Sequence, residues 1–207
     1  MDNSAYSNKK SDFKSVLSLK EINTEKYSTD TNSICENEEY YLPKEFEKKE
    51  YTFNSQKQTE LVSVFDAARY ILSRLKEKQC STMKLHKLLY YCQAWAMVWE
   101  EKPIFKERIE AWANGPVVRE LFLFHRGMYS ISYWDLSNGN ENALNNTQKE
   151  TINDVIDFYG DKEAQWLIDL THSEAPWQNA RLGLKQLERG NNEITLDSMA
   201  EYYSSIK

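Results

Sequence analysis

The chain has 207 residues and a formal net charge of -6, with 41% hydrophobic and 28% charged residues; this fits one packed domain with an extension. It argues against a general nucleic-acid binder, because no block rich in Lys and Arg offers phosphates a basic face. No apolar run approaches the ~18 residues a membrane span needs, and the start, MDNSAYSNKKSD, lacks the apolar core of a signal peptide, so the expected compartment is the cytoplasm.

Residues 1–58 are rich in Ser, Asn, Lys and Glu, with no sustained hydrophobic period. They are expected to form a flexible or partly disordered arm. Two clusters interrupt it, one containing Phe13 and Leu17, the other Tyr40, Tyr41 and Phe46. They read either as accidental apolar residues in a solvated tail or as anchors that order on a partner. Residues 59–207 are expected to fold as a mainly α, compact helical domain with one or two short strands.

Ser63 with Asp66 forms a capping-box start, and Val64, Phe65, Ala68, Ile71, Leu72 and Leu75 follow at helical spacing, predicting a helix to about Lys78. A second start at Ser81 or Thr82 leads into Leu85, Leu88, Leu89, Cys92, Trp95, Ala96 and Trp99. Tyr90, Tyr91 and Met97 widen that stripe, so this helix is expected to be central and buried on more than one side. Ile109, Ala111 and Ala113 alternate with Arg108, Glu110 and Trp112 as a short strand. Pro116, with its fixed φ and missing N–H, then reads as the first residue of a helix that Gly127 can end. Tyr129, Ile131 and Tyr133 alternate with Ser130, Ser132 and Trp134 as a strand or extended arm, followed by a polar loop. Further helices are expected from Thr147 with Glu150 to Gly160, from Asp161 through Thr171, from Pro176 to about Arg189, and after Thr195.

No phosphate-cradling, nucleophile-elbow or zinc-protease motif occurs. The three cysteines, Cys35, Cys80 and Cys92, are an odd set without metal-type spacing and read as free thiols; with three scattered histidines they make no closed zinc set. No metal or cofactor is expected. His86 reads as a surface or subunit-facing residue, and His125 as a ring whose positive form suits a helix end. His172 with Glu174 supplies only the H-x-E half of a zinc-deaminase signature, since the second, cysteine-bearing motif is absent. A structural histidine bonded to backbone or carboxylate is the simpler reading, and a hydrolase or transferase centred on this pair is the enzymatic alternative. Trp112, Trp134 and Trp177 could line a ring-stacking surface or serve as core and rim.

Three segments, MKLHKLLYYCQAW at 83–95, IEAWANGPVVREL at 109–121 and LTHSEAPWQNAR at 170–181, together resemble the Panacea domain of SocA-like antitoxins, also met in phage-associated GepA-type proteins. The resemblance covers about residues 60–190. It implies a non-enzymatic antitoxin that binds a cognate protein toxin encoded nearby, with presentation of the toxin to a Clp-type protease as a further role in the SocA type. Trp112, Gly115, Pro116, His172, Pro176 and Trp177 match the family motifs, and each is also what a turn or a packed helix start requires. Contact residues are therefore expected in the variable parts: Tyr129, Tyr133 and Trp134, together with the N-terminal anchors. A phage-associated regulator binding nucleic acid is the third reading, for which the chain displays no basic face.

Overall fold

Ser63 accepts a hydrogen bond from the Phe65 backbone while Asp66 reaches back to the Ser63 N–H at 3.0 Å, closing the capping box that opens α1 (Val64–Arg74). The computed structural model describes residues 61–185 and 187–206; the anchors at Phe13, Leu17, Tyr40, Tyr41 and Phe46 lie outside the described residues. Helix α1 ends four residues before the expected Lys78. Leu75 is extended, and Lys78 takes a φ of 48° to turn the chain into β1 (Gln79–Ser81), a strand too short to read from three residues.

Ser81 caps α2 (Thr82–Trp99), and the domain is assembled around it. From Leu85 to Ala96 every residue is buried, the pattern of a helix surrounded on all sides. Helices α1, α4 (Asn146–Tyr159), α5 (Ala164–His172) and α7 (Leu196–Ser205) all pack on it. The predicted stripe from Leu85 to Trp99 lies within this core.

The strand at Ile109–Trp112 (β2) is present, but the chain does not enter a helix at Gly115. A two-residue turn, Ala113 and Asn114, reverses it into β3 (Gly115–Val118), paired antiparallel with Ala111 opposite Pro116. Proline is tolerated here because β3 is the edge of a sheet ordered β3-β2-β5, with β5 at Glu193–Ile194. At this pairing position the backbone nitrogens point away from the ladder: Ala111 N–H goes to Asn192 O, and two residues along β3 the Val118 N–H goes to His86 Nδ1. The helix begins only at Arg119 and runs to His125 (α3), with Gly127 at φ 90° just beyond.

Strand β4 (Ser130–Ser132) pairs antiparallel with β1, burying Ile131 against the core. Three further boundaries differ from expectation. Asn145 and Gln148, not Thr147 and Glu150, exchange the reciprocal bonds that open α4. Glu163, not Asp161, is the cap residue of α5. Helix α6 (Ala175–Ala180) has Pro176 in its first turn as expected, yet ends well before Arg189 because Arg181 leaves the helical conformation and turns inward. The seven α-helices and five short strands of the described residues are the mainly helical domain anticipated above.

Candidate functional site

The six residues that matched the motifs converge on one joint between the β2-β3 hairpin and the α5-α6 corner. Trp177 buries its ring and donates from Nε1 to the Trp112 carbonyl at 2.9 Å. Arg181 on the same side donates from Nη1 to the Ala111 carbonyl at 3.0 Å. The His172 ring stacks on Trp177 with centroids 4.1 Å apart, and its Nε2 is buried with no hydrogen-bond partner. The expected bond from this histidine to a carboxylate or carbonyl is thus replaced by stacking, and burial holds its pKa below the ordinary value.

Gly115 has a φ of 95°, and a Cβ there would lie 2.6 Å from Lys87 Cε and 3.0 Å from Thr171 Oγ1. Lys87 is fully buried and donates from Nζ to the Pro116 carbonyl at 3.1 Å. Loss of solvent pulls its pKa down to about 7. Only a glycine leaves room for that side chain under the hairpin.

His86 is not a surface residue: it is buried against His125, with the two Nε2 atoms 2.8 Å apart. The geometry fixes the tautomers. Val118 N–H donates to His86 Nδ1, so the His86 proton sits on Nε2 and is donated to His125 Nε2, leaving the His125 proton on Nδ1. Both rings are held neutral, with pKa values lowered first by burial. The positive helix-end histidine expected at His125 is therefore excluded by desolvation, which outweighs a dipole term of at most about 2 kcal/mol.

Glu174 is also fully buried. Tyr203 donates to its Oε2 at 2.5 Å and Tyr91 at 3.2 Å, while the single Tyr203 proton, given to Glu174, leaves Tyr203 to accept from Tyr90 at 3.2 Å. Burial and the carboxylate together raise the pKa of all three phenols. His172 makes no hydrogen bond to Glu174, so the pair is not an assembled acid and base. Sequence reasoning misses this tyrosine network. Its signal is the Tyr90-Tyr91 pair on a buried face, since buried phenols need partners.

Neither described cysteine is set up as a nucleophile. Burial pushes the Cys80 thiol up to about 12 and raises Cys92 further. Among the described residues no group of three or more His, Cys, Asp or Glu is placed to hold a metal, and no helix is long and apolar enough to cross a membrane.

The aromatic arm is divided by β4. Tyr129 and Trp134, at its two ends, are 87% and 67% exposed. Tyr133 is half buried, with the Arg69 guanidinium 4.1 Å from its ring centroid. Leu123, Phe124 and Met128 precede Tyr129 in the chain and are exposed as well. Trp134 is thus separated from Trp112 and Trp177, which are tied to the hairpin joint.

No curated protein and no solved structure matches the chain. Residues 85–178 match the family model described as Antitoxin SocA-like, Panacea domain.

Proposed function

We propose that this chain, in which residues 85–178 match the family model described as Antitoxin SocA-like, Panacea domain, is the antitoxin of a type II toxin-antitoxin pair and neutralises a protein toxin by direct, stoichiometric binding. The observation that carries the reading is the division of labour among its aromatic residues. Trp177 is buried and bonded within the fold, and Trp112 is half buried and gives its carbonyl to Trp177. Tyr129 and Trp134 present their rings to solvent on either side of a strand pinned by Ile131. Exposed Tyr and Trp on a rigid support are the residue types that anchor protein interfaces. The chain's charge of -6 suits a basic toxin, which would raise the association rate. In this reading His172 and Glu174 support the fold and do no chemistry.

The test is co-purification of the full chain with the product of its neighbouring open reading frame. The unaltered chain is expected to retain that product at one-to-one stoichiometry. A Tyr129→Ala, Trp134→Ala double variant is expected to bind at least tenfold more weakly, each ring contributing about 1–2 kcal/mol, with an unchanged melting temperature because both rings are exposed. Equal retention by both proteins would move the interface elsewhere; no retention by either would remove the direct-binding reading.

A further inference from the structure

A cavity of about 750 Å³ opens between the β2-β3 hairpin and α3, within the size range of small-molecule sites. Its lining departs from the rest of this acidic chain. Arg119 opens α3 with Phe122 at i+3 on the same face, and Arg126 directly follows its last residue, His125. Arg119, Phe122 and Arg126 line the cavity, and Arg189 joins them from the loop before β5. Arg119, Arg126 and Arg189 are exposed and make no ion pair or side-chain hydrogen bond among the described residues.

The carboxylate in this cavity, Glu110, is already occupied: it is 1% exposed and accepts from Trp112 Nε1 at 2.8 Å and from Arg108. Arg108 is thereby neutralised, and three guanidinium groups are left facing a concave space. Their flat forks match phosphate oxygens two at a time. The apolar wall is aromatic, with the Trp112 and Phe122 rings edge to face at 4.7 Å. Such a wall takes a planar ring. The buried His86 and His125 close the inner end and stay neutral, so the charge of the cavity rests on arginine.

We propose that this cavity is a binding site for a small phosphate-bearing ligand with a flat ring, a nucleoside phosphate in chemical class, held by Arg119, Arg126 and Arg189 with its ring against Trp112 and Phe122. The site is independent of the antitoxin reading, since it uses none of the exposed aromatic anchors. Calorimetric titration of the full chain tests it, with ATP, GTP, CTP and UTP as probes and with inorganic tripolyphosphate and adenosine as the charge-only and ring-only controls. At least one nucleoside triphosphate is expected to bind saturably and at least tenfold more tightly than either control. The Arg119→Gln, Arg126→Gln variant and the single Arg189→Gln variant are each expected to weaken it at least tenfold with no change in melting temperature, the three side chains being exposed. Absence of saturable binding at millimolar nucleotide would overturn the proposal. So would tripolyphosphate binding as tightly as the best nucleotide, or full retention of binding by the folded variants.

Discussion

Gly115→Ala is expected to lower the unfolding free energy by about 3 kcal/mol, the sum of backbone strain and overpacking. The backbone contribution comes from φ 95°, where a side chain is strained whatever the space. The packing contribution comes from Lys87, whose Cε would lie 2.6 Å from the new methyl. A surface lysine would swing aside, but Lys87 is fully buried and bonded to Pro116. Gly127→Ala is the control, because Gly127 has φ 90° with nothing within 4 Å of its added Cβ. It is expected to cost only the strain, about 1–2 kcal/mol. Thermal or urea unfolding of the two variants measures the difference. If Gly115→Ala costs no more than Gly127→Ala, the close approach of Lys87 to the hairpin is not a feature of the folded protein.

The second large effect is a pH dependence that originates in Lys87. Its folded pKa is about 7 against 10.5 for the free group, so between these values the unfolded chain binds the extra proton. Stability therefore rises with pH through that window, at up to about 1.4 kcal/mol per unit, or about 2 kcal/mol from about pH 7 to about pH 8.5. The other shifted groups act mainly elsewhere. His86 and His125, both lowered, remove stability as pH falls below about 6.5. Cys80 and the buried tyrosines, all raised, remove it as pH climbs past about 9. Lys87→Met is expected to flatten the slope and to raise stability at pH 7, because it replaces a buried ionisable group by an apolar one of similar length. Urea midpoints across the window measure this; an unchanged slope in the variant would place the titration on another group.

The parts of the fold that can be read from the sequence are those where a local signal meets no competitor. Ser63 with Asp66, the long apolar face of α2, Pro176 ahead of Trp177, and Thr195 ahead of Met199 and Tyr203 are of this kind. The hairpin reads wrongly as a helix start because Pro116 satisfies two rules at once. Its fixed φ suits a first helical turn, and its missing N–H also suits an edge strand; the choice is made by pairing with β2 and by the β5 strand almost eighty residues later. The burial of His86 and Lys87 is hidden for a related reason. Their polar neighbours on α2 resemble a solvated face, and the groups that accept them, Pro116 O and His125, come from the hairpin and α3. At the candidate sites, the exposure of Trp134 follows from the alternation about Ile131, whereas Tyr129 shares the phase of Ile131 and is exposed because it lies just before β4 begins. The spacing of Arg119 and Phe122 is equally visible, but it becomes a cavity wall only once the hairpin places Trp112 opposite.

The antitoxin reading is tested most directly by growth. Cells expressing the neighbouring open reading frame alone are expected to arrest. Co-expression of the full chain is expected to restore growth, and the Tyr129→Ala, Trp134→Ala variant, expressed to the same level, is expected to restore it poorly. An open reading frame that leaves growth unaffected, or an arrest that persists in the presence of the unaltered chain, would contradict the account.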